Sequence, residues 1–244
     1  MPLGIFKNIF YSLLIILSLN AQAKATDKSI VVRVGGYDFA PFVEKEGSEG
    51  VVRELIAKLN NTQKKYHFEF VYTSPNRRYK DFKLRKFDMI FFEDESWGWK
   101  DRKINYARTG ILTQGEEMAI ALKYDRDHSY FDNLDKKKVR IILGFHYQFT
   151  DMKTDQDRIL KKGIEQGRNY HENVMDLLDK KIDITYVNSL YLKRIFELDK
   201  ELKEKILVAP KPDHSFVLRG LIHPSSPITV SELEKLGLNK MVED

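Results

Sequence analysis

A nine-residue pattern occurs twice in this 244-residue chain, at positions 81–89 (DFKLRKFDM) and 176–184 (DLLDKKIDI). In each copy, apolar residues at helical spacing are followed by a basic pair and by an aspartate that opens an apolar run. Basic residues suit the carboxyl end of a helix, and the apolar run suits a buried strand. The repeat therefore predicts one αβ unit built twice, in two similar α/β lobes that face each other across a ligand cleft.

The spacing of apolar residues elsewhere predicts strands that alternate with helices, an order that favours a mostly parallel sheet. The predicted strands lie at 30–34, 66–72, 87–92, 117–122, 139–143, 182–187, 206–208 and 216–222. The predicted helices lie at 51–59, 77–85, after Thr154, and at 173–181, 189–198 and 229–236. A charged segment at 125–138 is interpreted as a surface connection. The chain is expected to cross between the lobes near 119–124 and again near 208–216.

The first 23 residues predict an export signal. Lys7 precedes an apolar stretch at 9–19, and the small residues at 21–23 (AQA) offer a cleavage site near Ala23. The stretch is shorter than the about 20 residues that a membrane-spanning helix needs. The chain also has no cysteine, so it cannot carry a lipid anchor. We therefore expect a periplasmic protein that is not anchored to the membrane.

Charge and motif content argue against several other classes of protein. The net charge is +5, but acidic and basic residues alternate almost everywhere, so no nucleic-acid partner is expected. The six histidines have no ligand spacing, and the motifs of nucleophilic, metal, phosphate-loop and dinucleotide enzymes are absent. The sequence therefore predicts neither an enzyme nor a metal or cofactor site.

Five short motifs, in this order, resemble the extracellular solute-binding proteins of the amino-acid-binding family. They are 36–42 (GYDFAPF) with Gly50 ahead of the first helix, 84–90 (LRKFDMI), 101–107 (DRKINYA), 178–183 (LDKKID) and 238–242 (LNKMV). The resemblance implies a two-lobed periplasmic-binding protein type II fold, each lobe being a mixed, mostly parallel sheet flanked by helices. Two crossover strands form the hinge. The implied lobes are 24–119 plus 213–244, and 120–212.

The resemblance also implies a function. A monomer of this family captures a small polar solute in the cleft between its lobes and delivers it to an ABC-type transporter. We expect that solute to bear a carboxylate, as an amino-acid-like molecule or an organic acid does. Two alternatives stay open: a ligand-sensing accessory protein for a membrane receptor, and a small-acid dehydratase on the same fold.

Ligand contacts in the first lobe are implied residue by residue. Tyr37, Phe39 and Phe42 correspond to the aromatic positions of the family's pocket. Arg102 corresponds to the arginine that grips a ligand carboxylate with its rigid fork, although Trp99 stands where the family has threonine. Trp97 and Trp99 lie in an unusual acidic loop and are predicted to stack on the ligand or cap the lobe.

Contacts from the second lobe are expected at Phe145, His146 and Tyr147, which follow the strand at 139–143. His146 would add a donor or a pH-dependent charge. Asn188 stands where the family places an acid for the ligand's ammonium, and Glu93 is the matching residue of the first lobe. Glu93 is therefore a candidate to replace the missing acid. Arg78 is assigned either to an anion or to an exposed helix start.

Overall fold

The structure is a computed structural model that describes residues 28–161 and 163–243. The predicted export signal lies outside these residues. The strands are β1 (Ile30–Gly36), β2 (Tyr66–Tyr72), β3 (Met89–Glu93), β4 (Ala107–Leu122), β5 (Val139–Ile142), β6 (Glu165–Gly167), β7 (Ile184–Asn188), β8 (Ile206–Val208) and β9 (His214–Ile222). The helices are α1 (Val51–Thr62), α2 (Arg78–Lys83), α3 (Gln156–Lys161), α4 (Tyr170–Leu178), α5 (Ser189–Leu198), α6 (Lys200–Lys205), α7 (Val230–Lys235) and α8 (Leu238–Glu243).

The described strands form one sheet in the order β2-β1-β3-β9-β4-β7-β5-β6, with β8 paired to β4. The first half contains β1, which runs parallel to β2 and β3. The second half contains β5, which runs parallel to β6 and β7. We call these the first and second halves. Each half has parallel strands because helices connect them, as the alternating pattern predicts.

Strands β4 and β9 join the two halves. Residues 107–117 of β4 pair antiparallel with β9, and residues 117–121 of the same strand pair with β7. β4 begins ten residues earlier than the sequence predicts. Apolar and polar residues alternate only weakly in its first part, which also carries glycine and exposed charges, so the pattern does not indicate a strand there. The pattern also missed β6, α6 and α8, which are too short to show a period.

Both copies of the repeat form the same αβ unit, α2–β3 in the first half and α4–β7 in the second. The basic pair lies just after each helix, where Arg85 and Lys180 take positive φ angles of 52° and 61°. The next residue then donates its N–H back into the helix, from Lys86 to Asp81 and from Lys181 to Asp176, each at 2.9 Å. The two helices therefore end in the same turn.

The aspartate that follows each basic pair fixes the start of the strand. Asp88 accepts the backbone N–H of Arg33 at 3.0 Å, and Asp183 accepts that of Lys138 at 2.8 Å. Arg33 lies in β1 and Lys138 directly precedes β5, so each aspartate connects its strand to the neighbouring parallel strand. The same residue type performs the same task in both halves.

Candidate functional site

Aromatic side chains from both halves meet at the carboxyl ends of the parallel strands. Phe39, in the loop after β1, is the centre of this cluster. Its ring centroid lies 5.5 Å from that of Trp97, 5.6 Å from that of Phe145 and 6.3 Å from that of Phe216. Open α/β sheets usually bind ligands at this end, because loops from neighbouring strands converge there. The cluster therefore marks the candidate site.

A small cavity remains inside the aromatic cluster, with about 10 Å³ of room. That is roughly the space one water molecule needs, so the two halves are nearly in full contact around this cavity. Its lining combines aromatic rings with charged and imidazole side chains: Tyr37, Phe39, Arg78, Trp97, Glu117, Phe145, His146 and His214. Trp97 Nε1 is buried and has no hydrogen-bond partner among the described residues.

An ion pair forms one wall of the cavity. Arg78 Nε lies 3.2 Å from Glu93 Oε2, and neither residue is more than 1% exposed. Trp99 Nε1 donates to the same carboxylate oxygen at 2.7 Å. The guanidinium also lies 4.8 Å from the centre of the Tyr37 ring. The alternative that Arg78 is an exposed helix-start residue is therefore wrong.

Burial and pairing act in opposite directions on Glu93. Burial raises the pKa of Glu93 above its ordinary value, although the charge of Arg78 and the hydrogen bond from Trp99 oppose this. The second carboxylate oxygen, Oε1, has no hydrogen-bond partner in the described part of the chain. The Arg78 guanidinium stays charged, since the attraction of Glu93 outweighs the effect of burial and raises its pKa. The Glu93 charge thus already has a compensating cation.

A second buried acid, Glu117, lies on β4 and is 3% exposed. The Tyr170 hydroxyl donates to it, 3.0 and 3.2 Å from its two carboxylate oxygens. No Lys or Arg among the described residues forms an ion pair with it. Burial raises the pKa of Glu117 well above its ordinary value, and the nearby charge of Asp213 adds to this effect. The ligand-free carboxyl group is therefore favoured in its neutral form.

Polar contacts connect the two halves beside this cavity. Asn188 Nδ2 donates to the carbonyl of Ala40 at 2.6 Å, from the end of β7 to the loop after β1. Its Oδ1 accepts the N–H of Tyr191 at 2.7 Å and so caps α5. Arg194 of α5 pairs with Glu44 of the same first-half loop. In this structure Asn188 therefore fastens the halves together.

A larger groove of about 840 Å³ lies on the other side of the 37–43 loop. Its walls come from that loop and from the segment 166–172 of the second half. The Tyr170 ring lines this groove, while its hydroxyl reaches Glu117 in the inner cavity. Tyr170 thus stands between the open groove and the enclosed site.

The predicted aromatic residues and His146 divide into two groups. Those that line the cavity are Tyr37, Phe39, Trp97, Phe145 and His146. Others lie behind it: Phe42 stacks on Phe92 with ring centroids 4.2 Å apart, Trp99 packs on Tyr79, and Tyr147 is fully buried beside Tyr186. Glu93 and Asn188 hold the walls through the bonds described above. Ligand contact by any of these side chains stays a prediction.

Arg102 lies on the exposed rim of the site. Its guanidinium lies 4.0 Å from the centre of the Tyr79 ring, and Nη1 donates to the carbonyl of Gly98 at 3.1 Å. Gly98 has a φ angle of 78°, and a β-carbon there would meet Nη1 at 2.0 Å. The loop therefore needs glycine to bring Arg102 this close. A role of Arg102 in carboxylate binding stays a prediction.

His146 does not supply a pH-dependent charge near neutrality. Burial lowers its pKa to about 2, with the charges of Arg78 and Arg102 acting in the same direction. The imidazole is therefore neutral throughout the physiological range. The neutral imidazole can still donate or accept a hydrogen bond, or pack against its neighbours.

Sequence reasoning missed the cavity-lining positions of Glu117 and His214 and left Arg78 undecided. For Glu117 a signal was present, because residues 117, 119 and 121 share one face of β4 and the two alanines of that face are buried. An acid that continues a buried face is a candidate site residue. Arg78 gave a weaker signal, its position at the start of the helix that follows β2.

Two features are absent from the described ranges, 28–161 and 163–243. These ranges contain no group of three or more His, Asp or Glu side chains placed to hold a metal ion. None of their helices has both the length and the apolar character needed to cross a membrane.

No protein-family model and no curated protein matches the sequence. Several solved structures have a similar fold. The cysteine-binding protein from Campylobacter jejuni has 17% identity and a TM-score of 0.61, with 87% of this chain and 86% of that chain covered. A Salmonella typhimurium periplasmic binding protein with high arginine specificity has 13% identity and a TM-score of 0.61, with 88% and 95% covered.

A third similar structure is an ABC uptake transporter substrate-binding protein from Streptococcus pneumoniae with bound histidine. It has 13% identity and a TM-score of 0.58, with 87% of this chain and 85% of that chain covered. At these identities the likeness shows the fold. The chain has the type II periplasmic-binding fold, as its sequence motifs imply.

Proposed function

We propose that this protein captures a small polar solute between the two halves of its sheet and releases it unchanged to a membrane partner. The observation that carries the proposal is the convergence of aromatic rings, Arg78 and Glu117 on one buried cavity at the carboxyl ends of the strands. The solved structures of similar fold, which are described as binding proteins for amino acids, support the same role.

Binding requires the halves to separate, because the present cavity has room for about one water molecule. We propose that they rotate about β4 and β9, with lobes at 24–119 plus 213–244 and at 120–212. The change of partner along β4, from β9 to β7 at residue 117, supports this boundary. Ligand contacts from both halves would then stabilise the closed form.

Fluorescence offers a direct test, because Trp97 and Trp99 are the two tryptophans of the chain and both lie at this site. A panel of amino acids, organic acids, amines and small sugars should contain a solute that changes the emission. The same solute should stabilise the protein by about 2.7 kcal/mol at a hundredfold excess over its Kd. Trp97→Phe should remove most of the signal. A panel in which no solute changes emission or melting contradicts the proposal.

The proposed partner is an ABC-type permease that meets the exported protein in the periplasm. Cross-linking of the solute-loaded protein to native membranes tests this choice. Recovery of a permease supports transport, whereas recovery of a receptor with a signalling domain supports the sensing alternative. The Streptococcus protein of similar fold is the substrate-binding protein of an ABC uptake transporter, which favours the first outcome.

A further inference from the structure

We propose that the solute carries a positively charged nitrogen, which binds between the carboxylate of Glu117 and the surrounding aromatic rings. This inference rests on the proposed function and specifies the charge of the solute. An organic acid without a cationic group would not satisfy the site. A zwitterion or a simple amine would.

The first step of the argument compares the two buried acids of the site. Glu93 already has a cation, because Arg78 lies 3.2 Å away and is equally buried. Glu117 has a hydroxyl donor, Tyr170, and no cation among the described residues. A buried carboxylate is costly unless it is paired, so Glu117 is the one acid of the site that gains from an incoming positive charge.

The aromatic surroundings of Glu117 suit a cation as well. The Tyr170 ring, whose hydroxyl touches Glu117, lies 5.7 Å from the Phe145 ring and 6.4 Å from the Phe39 ring. The faces of such rings carry negative charge density and attract ammonium groups, including quaternary ones. The same faces disfavour an anion. The rings and the acid therefore select the same sign of charge.

The outer groove offers an approach for such a solute. Four of its lining residues are carboxylates, namely Asp38, Glu44, Glu46 and Glu172, against the basic side chains of Lys45 and Arg168 and of nearby Arg194, which pairs with Glu44. This local excess of negative charge occurs on a chain of net charge +5. A groove of one sign raises the local concentration of ligands of the opposite sign. Tyr170 connects the groove to Glu117.

Cation binding should be linked to proton release. Burial raises the pKa of the ligand-free Glu117 carboxyl and so favours its neutral form, whereas a bound cation would favour the charged form. Affinity should therefore rise with pH up to the pKa of the free site. The groups that face or act on Glu117 are Tyr170 of α4, Asp213 and His214 at the start of β9, Tyr147 and His146 of the loop after β5, Tyr186 of β7, and Arg78 of α2.

The test uses pairs of probes that differ in charge and little in shape. Choline is compared with its neutral carbon isostere, dimethylbutanol, and butylamine is compared with butanol. Putrescine, lysine, succinate and glutamate complete the set, each titrated by calorimetry against the full mature chain. At least one cationic probe should bind, and its neutral isostere should bind roughly 30-fold more weakly or not at all.

Two variants locate the effect. Glu117→Gln keeps the shape and can still accept the Tyr170 hydrogen bond, but it cannot become negative. The variant should lower the affinity for the cationic probe roughly 30-fold or more. It should also abolish proton release, which is measured by calorimetry in buffers of different ionisation enthalpy. Glu116→Gln is the control, because Glu116 is the exposed neighbour on the same strand. It should change neither quantity.

The outcomes separate this inference from the proposed function. Binding of a carboxylate or neutral solute alone, with Glu117→Gln without effect, overturns the cation inference and leaves solute capture standing. Cation binding that Glu117→Gln leaves unchanged also overturns it. Failure of every probe and every solute of the wider panel overturns both.

Discussion

The two copies of the repeated αβ unit have the same scaffold and different ends. In both, the helix ends at a basic pair with a positive φ angle, an aspartate ties the strand to its neighbour, and the following strand is fully buried. The fifth residue after the aspartate then differs. It is Glu93 in the first half, paired with Arg78, and Asn188 in the second half, bonded to Ala40. The local sequence thus repeats the scaffold, whereas each strand end is adapted to the groups that it meets.

The aspartates themselves also differ in how firmly they are held. Asp88 accepts hydrogen bonds from the backbone and guanidinium of Arg33 and from Arg85, and its side chain is 2% exposed. Asp183 accepts the N–H of Lys138 and is only half-buried. The first copy is therefore the more strongly connected one. Four sets of variants test the comparison between the two copies.

Arg78→Met should have the largest effect, since it leaves Glu93 buried without a compensating charge. We expect a loss of about 3–5 kcal/mol in the free energy of unfolding, measured with urea. The double variant Arg78→Met/Glu93→Gln should recover much of this loss. Arg77→Met is the control, because Arg77 is the exposed neighbour and its pair with Asp81 is long, at 3.8 Å. Equal losses for the two arginine variants would contradict the importance of the buried pair.

Asp88→Asn and Asp183→Asn compare the two aspartates directly. We expect the free energy of unfolding to fall by about 2–3 kcal/mol for Asp88→Asn and by about 1 kcal/mol for Asp183→Asn. Asp88 accepts charge-assisted hydrogen bonds from two arginines, and these are stronger than bonds from neutral donors. Burial acts to raise the pKa of Asp88, but the hydrogen bonds from Arg33 and Arg85 outweigh it and lower the pKa.

The pH dependence of the Asp88 effect follows from this lowered pKa. The contribution of the charged group is complete above about pH 4, the ordinary pKa of aspartate, and is lost as the pH falls through the folded-state value. Unfolding curves of wild type and Asp88→Asn should therefore converge below about pH 4. A difference that stays constant down to pH 2 would show that the ionised form of Asp88 contributes nothing.

Asn188→Asp makes the second copy resemble the first at its strand end. The new carboxylate can still cap α5, but it puts an oxygen against the carbonyl of Ala40. We expect a loss of about 1–2 kcal/mol in the free energy of unfolding. We also expect a larger radius of gyration in small-angle X-ray scattering, because the hydrogen bond that connects the two halves is lost. Asn169→Asp is the control, since Asn169 caps α4 in the same way without crossing between the halves. An unchanged radius for Asn188→Asp would contradict the fastening role.

Lys180→Gly and Arg85→Gly should have the smallest effects of the series. Both residues have positive φ angles, which cost a side-chain-bearing residue about 1 kcal/mol. Glycine at position 180 should therefore stabilise the protein by about 0.5–1 kcal/mol. At position 85 the gain should be offset, because Arg85 Nε lies 3.1 Å from Asp88. Equal gains at both positions would indicate that the Arg85 contact adds no stability.

Much of the fold could be predicted from local sequence. The strand 66–72 and the helix 189–198 have the predicted bounds, because each has a regular period and clear turn residues at its ends. The repeat predicted the two αβ units. Only residues 117–122 of the 16-residue β4 were predicted, since a strand that passes between two halves has different neighbours along its length and no single alternation of apolar and polar residues.

The candidate site was predictable only in part. The aromatic loops at 37–42 and 145–147 follow strand ends, and a sequence pattern can show that. A sequence pattern does not show whether an arginine lies at the rim of the site or inside it. Arg102 is exposed in the loop before β4, whereas Arg78 is buried against Glu93 at the start of α2. Their difference arises from long-range packing.

The sequence by itself determined the repeated αβ unit, in which a helix ends at a basic pair and a buried strand follows, because φ preferences, basic pairs and apolar periods act over a few neighbouring residues. The tertiary structure alone decided which charges are compensated. Glu93 and Glu117 are the same residue type, yet one lies against Arg78 and the other lies against Tyr170 without a cation. That distinction depends on groups far apart in the chain, and burial makes it large, since a low-dielectric interior strengthens each charge that it encloses.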